Sequence, residues 1–288
     1  MHMHALVNTR DTLGETPVWS AAEQALYWVD VRRPAVHRYR CDVGQLSTWI
    51  MPELVGSLAL CSRGGLIVAL RSSIRRFDPA TERLEVIVEP EAGNPQMRLN
   101  DGRCDRSGRF WVGSMNDVTR GPVGRLFRLD PSGECTTMLE EIVVPNSLSW
   151  SIDDRTMYFA GPDLRSVFAF DFDLASGTMR GRRVFAEYEA PALPDGATVD
   201  AEGFLWCAAY EGWRITRYAP DGRIDRIVEL PVQCPTSLAF GGPGLRTLFA
   251  TTARQRIAED ALAKQPLAGA VLALDVGVAG LPEPMYGG

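Results

Sequence analysis

Residues 141–163 read "EIVVPNSLSWSIDDRTMYFAGPD": an apolar run through Leu148 and Trp150, a polar turn at Asp153-Asp154, and an aromatic run from Met157 to Ala160. The pattern is strand, turn, strand. Asn146 opens the first strand directly after Pro145. Nothing about a strand requires an amide there. Taken alone, an Asn after Pro is an ordinary turn residue that bonds its own backbone.

The stretch is one of six similar units. Others begin at Glu15, Gly56, Asn100, Asp195 and Thr236. Each opens on a short small-residue strand and passes a turn rich in Asp, Gly or Ser. An aromatic-rich strand follows, as at Leu26–Val29, Phe110–Val112 and Leu205–Ala208, then an alternating strand, a turn and a fourth strand. A period of about 40–50 residues is that of four-stranded propeller blades. The expected fold is therefore all-β, a six-bladed β-propeller forming a single domain over residues 1–288. The segment "HALVNTR" before the first unit supplies the outermost strand of the last blade and closes the ring. One helical excursion is expected over Ala253–Gln265, ended by Pro266 and Gly269.

In such a ring the first strand of each blade lines the central channel. Four units carry an oxygen-bearing side chain where that strand begins: Glu15, Asn100, Asn146 and Asp195. Units two and six have Gly56-Ser57 and Pro235-Thr236 instead. Two carboxylates and two amides aimed at one point repel or go unsatisfied without a cation between them. The set is one of hard oxygen donors. It suits Ca2+ best and also admits Mn2+, Mg2+, Fe2+ or Zn2+.

The remaining composition excludes much. Histidine occurs only at positions 2, 4 and 37, so there is no HExxH zinc site and no Ser-His triad. The net charge of −6, with no Lys/Arg run, argues against nucleic acid. No stretch resembles a signal peptide or a membrane span. Six scattered cysteines without a CxxC pair read as free thiols of a cytoplasmic protein. No obligate protein partner is indicated.

The pieces "LGETPVW", "MRLNDGRCDRSGRFWVGSM", "VPNSLSWSIDDRTMYFA", "LPDGATVDAEGFLWCA" and "TTARQRIAEDALAKQPLAGAVLALDVGVAGLPEP" resemble the gluconolactonase and senescence-marker-protein (regucalcin) family of six-bladed propellers. They spread over nearly the whole chain. The resemblance implies one divalent metal held by Glu15, Asn146 and Asp195, with Asn100 beside it as ligand or substrate contact. Arg98 resembles the family's substrate-orienting arginine. The implied activity is hydrolysis of a sugar lactone to an aldonic acid. There are departures: Thr16 and Ser147 stand where the family usually has glycine, and Gly161-Pro162-Asp163 follows "YFA".

For that chemistry Asp195 is the candidate general base, or else only a ligand. The loops joining second to third strands should rim the pocket. From them Asn116, Asp117, Asp163, Tyr210 and Arg254 are candidate substrate contacts, and Trp213 could pack over a sugar. Two other functions fit the same metal: hydrolysis of organophosphate or aryl esters, and a non-enzymatic calcium-binding regulatory role.

Overall fold

Each polar turn separates a channel-lining strand from the aromatic strand that pairs with it. Asn146–Trp150 lies antiparallel to Thr156–Ala160, with Trp150 opposite Met157. The computed structural model describes residues 2–288, whose strands form six four-stranded antiparallel sheets. Blade 1 starts on Gly14–Ser20, blade 2 on Val55–Leu60 and blade 3 on Met97–Cys104. Blades 4, 5 and 6 start on Asn146–Trp150, Leu193–Val199 and Pro235–Gly241. This is the six-bladed β-propeller that the repeats predict. His2–Val7 pairs with Val271–Asp275, His4 opposite Ala273, so the amino-terminal strand completes blade 6.

Burial grades from the axis outward. Gly14–Ser20 and Pro235–Gly241 are buried throughout, whereas the outermost strand Gln45–Ile50 is largely exposed. Aromatic rings fill the wedges between blades. Trp111 meets Trp150 at 6.0 Å across blades 3 and 4, and Trp19 stacks on Phe249 at 5.7 Å across blades 1 and 6. A fully buried ring of this size contributes roughly 4 kcal/mol of apolar transfer free energy. The indole N–H of Trp28, Trp111 and Trp206 donates to Asp11, Asp105 and Asp200 at 2.8–2.9 Å. In blades 3 and 5 the spacing is Asp(i)–Trp(i+6). Such pairs satisfy a polar tip inside an apolar wedge.

The expected helix is much shorter. Only Glu259–Leu262 is helical. Ala253 is held in a β-bridge to Leu13, and the amides of Arg254 and Gln255 both donate to Thr12 O. Arg256 then adopts φ 61°, which no right-handed helix tolerates. Tertiary bonds to the first blade therefore override the propensity of this segment.

The far end of the channel is closed by the last residues of the chain. Ala201 N donates to Ala279 O, Gly280 N to Leu245 O, Tyr286 N to Leu60 O and Gly287 N to Gly108 O. The segment thus crosses the base from blades 5 and 6 to blades 2 and 3. Beneath the axis, Arg103 donates to both carboxylate oxygens of Glu283 (2.6 and 3.0 Å) and to the carbonyl of Ala197.

Candidate active site

A register shift interrupts the pairing of the first two strands in every blade, near the start of the inner strand: Glu15/Val18, Val55/Ser57, Leu99/Gly102, Asn146/Ser149, Pro194/Ala197 and Pro235/Leu238. Bulges at the same height in successive blades turn side chains that would face a neighbouring strand toward the axis. Glu15, Asn100, Asn146 and Asp195 are each buried and together line one pocket at that mouth. Blade 2 offers no such group because it has no room. A Cβ on Gly56 would lie 2.4 Å from the Leu99 carbonyl oxygen. In blade 6, Thr236 Oγ1 turns away to donate to Gly14 O at 2.5 Å.

Thr16 and Ser147, the two residues in glycine-favouring positions, have φ of 46° and 60°. Both bulges therefore require the left-handed conformation, which glycine adopts without strain. Here a hydroxyl residue adopts it and gains a bond instead. Ser147 Oγ donates to the carbonyl oxygen of Asp195.

The amides are already committed in part. Asn100 Nδ2 donates to Asn146 Oδ1 at 2.9 Å and to Pro145 O at 2.8 Å. Asn100 Oδ1 accepts from Arg98 Nη1 at 2.5 Å. Asn100 is thus a bridge between Arg98 and Asn146, while Glu15 and Asp195 keep their oxygens free of side-chain donors. Burial raises the Glu15 carboxyl well above its ordinary range, and the charges of Asp195 and Asp101 raise it further. Asp195 is raised likewise by burial and by Asp101, against the opposing charge of Arg120. Two buried carboxylates converging without a cation are an expensive arrangement. Among the described residues no three His, Cys, Asp or Glu side chains form a metal-holding group. A cation at this mouth would be held by Glu15, Asp195 and the amide oxygen of Asn146, and this oxygen set fits a hard divalent ion.

The rim loops are only partly as expected. Asp163 and Tyr210 line the pocket, but Asn116, Asp117 and Arg254 do not. Asn116 Oδ1 accepts from the amides of Val118 and Thr119, so it shapes its own loop. Asp117 takes a two-pronged bond from Arg32 (2.7 Å each) and one from Arg98 Nε at 2.8 Å. Although burial pushes its carboxyl up, bonds from Arg32 and the charge of Arg98 hold it well below the usual range. Asp117 fixes Arg98 from behind. Asp163 Oδ1 accepts from the amides of Arg165 and Ser166. Trp213 is 43% exposed and outside the pocket.

The pocket also has Val144, Leu164, Leu193, Arg120 and Arg256 in its wall. Arg120 and Arg256 lie in loops read as rim segments, yet neither stands out in sequence. Backbone φ values of 51° and 61° decide where those loops turn.

A sequence profile described as the SMP-30/Gluconolactonase/LRE-like region matches residues 13–254. The chain is 37% identical over 288 residues to the 6-deoxy-6-sulfogluconolactonase of Pseudomonas putida, covering 99% of each. It is 36% identical to the L-arabinolactonase of Azospirillum brasilense, over 98% of this chain and 95% of that one. Among solved structures, a regucalcin from Agrobacterium tumefaciens, described as calcium-binding, superposes with a TM-score of 0.94 at 29% identity. That match covers 98% of this chain and 96% of the other.

Proposed function

Because the chain belongs to the SMP-30/gluconolactonase/LRE-like family, we propose that it is a divalent-metal-dependent hydrolase that opens sugar lactones to aldonic acids. The observation that carries this is the convergence of Glu15, Asn146 and Asp195 in one pocket with an arginine already fixed by a carboxylate behind it. Relatives named for lactones of a sulfonated sugar and of a pentose support the substrate class.

A divalent cation bound to Glu15, Asn146 and Asp195 would polarise the lactone carbonyl and acidify a water molecule. Calcium suits the oxygen donors, and Mn2+, Mg2+, Fe2+ or Zn2+ share them. Arg98 is the orienting donor. Asp117 and Asn100 hold its guanidinium in one pose, so a ring hydroxyl or ring oxygen meets a fixed fork instead of a mobile chain. Asp195, lining the pocket beside Glu15 and Asn146, accepts the proton of the attacking water and returns it to the leaving ring oxygen. The bond from water oxygen to carbonyl carbon forms first. The bond from that carbon to the ring oxygen then breaks, leaving a carboxylic acid and an alcohol.

The polar rim of Arg120, Asp163 and Arg256 favours a polyhydroxylated substrate over an aryl ester. No described helix is long and apolar enough to cross a membrane. All six cysteines are free, which suits the reducing cytoplasm.

The test is alkali uptake at constant pH on a panel of aldonolactones, before and after chelation and with each metal restored. Turnover should vanish on chelation and return with the preferred ion. Asp195→Ala should lose at least about a hundredfold in kcat. Full activity in Asp195→Ala, or no turnover on any lactone with any metal, overturns the proposal.

A further inference from the structure

Three guanidiniums line the pocket, and only one of them is spent. Arg98 is bound to Asp117, Asn100 and the Leu99 carbonyl. Among the described residues, neither Arg120 nor Arg256 makes a side-chain hydrogen bond or an ion pair, and Arg120 Nε is buried without a partner. The nearby carboxylates do not serve them. Asp117 is taken by Arg32 and Arg98, and Asp163 Oδ1 is taken by two backbone amides. Glu15 and Asp195 lie at the floor with Asn146.

The two free arginines come from different blades, Arg120 from the loop after Phe110–Asn116 and Arg256 from the loop after Thr247–Thr252. Both loops hold their arginine in the left-handed region, at φ 51° and 61°. Strain of this kind, about 1 kcal/mol or more per residue, persists only where surrounding bonds impose it. Here they do: Arg120 N donates to Asn116 O, and the amides of Arg254 and Gln255 donate to Thr12 O. Burial, then the positive charges of Arg256 and Arg98, lower the affinity of the Arg120 guanidinium for its own proton. Like charges are thus brought together over one cavity with donors to spare. The charges of Asp117 and Asp195 reach Arg120, yet no carboxylate bonds either guanidinium, so the pair keeps donors free for an anionic acceptor.

We propose that Arg120 and Arg256 form an anion subsite at the rim, and that the lactone taken by this chain bears a negative group on its exocyclic carbon. A sulfonate, a phosphate or a carboxylate would each satisfy the pair. With the carbonyl beside Glu15 and Asp195, a charged group on the exocyclic carbon of the ring would be the part of the substrate that meets the two arginines, which line the same pocket. The assignment rests on the lactonase reading for the identity of the ring. The subsite itself rests on the arginines alone.

The experiment compares kcat/KM for D-glucono-1,5-lactone with that for its 6-phosphate, its 6-deoxy-6-sulfonate and the corresponding C6 carboxylate. The favoured anionic lactone should exceed the neutral one by about tenfold or more. That ratio should fall by about tenfold in Arg120→Gln and in Arg256→Gln, in part in Arg256→Lys, and with rising salt. Arg180→Gln, which removes an exposed charge elsewhere, should not move it. In parallel, calorimetry measures 6-phosphogluconate against gluconate on the metal-loaded wild type and both glutamine variants. Equal kcat/KM for neutral and anionic lactones, or a ratio unmoved in both glutamine variants, overturns the subsite while leaving the lactonase intact. If no lactone is turned over, the lactonase reading falls, and binding decides alone. Tighter binding of the phosphorylated acid, lost in the variants, supports the subsite; equal binding overturns it.

Discussion

Ser147 Oγ donates to the backbone carbonyl of Asp195, so a side chain of blade 4 fixes the main chain of blade 5 at a carboxylate that lines the pocket and is proposed to hold the metal. Ser147 sits at φ 60° to do so. Ser147→Ala keeps the strain and loses the bond, and should cost about 1–2 kcal/mol of stability. Ser147→Gly loses the bond but relieves the backbone, and should be the milder change by about 1 kcal/mol. Both should weaken metal affinity. Urea unfolding and metal titration check this; equal stability of the two variants with unchanged affinity would contradict it.

Arg98 and Asp117 should act as one unit. Arg98→Lys replaces a fixed fork with a flexible point charge and should raise KM by about tenfold with a smaller change in kcat. Asp117→Asn should do much the same by releasing Arg98. The double variant should then be little worse than either single one, as expected for residues sharing one interaction. Additive losses would show that Asp117 meets substrate itself.

Acid stability should reveal two buried groups that oppose each other. His37 stacks on Trp28 at 5.0 Å, with Asp11, Asp30 and Arg33 around them. Burial lowers His37 to about 4 from 6.5, so below 6.5 only the unfolded chain takes up its proton, and stability falls as pH drops toward 4. Burial raises Asp11 to about 7 from 3.8, so the folded chain holds a proton that the unfolded chain releases. Its contribution is lost as pH rises from about 4 through 7. Each slope is about 1.4 kcal/mol per pH unit. Between pH 4 and 6.5 the two should cancel. His37→Gln should then lose stability with rising pH, and Asp11→Asn with falling pH, by urea unfolding. Parallel slopes in both variants would rule the pairing out.

Arg103 and Glu283 form a largely buried ion pair beneath the channel, their side chains 14% and 10% exposed. Arg103→Met alone leaves Glu283 uncompensated and should cost about 3–5 kcal/mol. Arg103→Met with Glu283→Leu should recover most of that. Denaturation midpoints compare the three proteins. No recovery in the double variant would mean that the Ala197 and Leu238 carbonyls bound by Arg103 matter more than Glu283.

The ring was legible because its strands obey a local rule. Trp28, Trp111 and Trp206 recur in the aromatic strands, and Glu15, Asn100, Asn146 and Asp195 interrupt strands that should be bland. A polar residue at a buried, repeated position is a signal that needs no contact map. The Asp partners of Trp111 and Trp206, six residues upstream of each, could have been found by the same spacing, but Asp11, seventeen residues before Trp28, could not. The rim was far less legible. Asp117 and Asp163 look alike in sequence, yet one grips two arginines behind the pocket and the other lines it. Loop side chains take their direction from backbone turns such as those at Arg120 and Arg256, set by bonds to Asn116 and Thr12 that lie in no periodic pattern. The bonds to Thr12 also shortened the expected helix to Glu259–Leu262.

The strap of residues 279–287 across the base, with Arg103 and Glu283 beneath the axis, gives the channel a single door. A bound aldonate must leave by the path its lactone took, past the same rim and against arriving substrate. Product should therefore inhibit competitively, and a product with an anionic tail should linger longest.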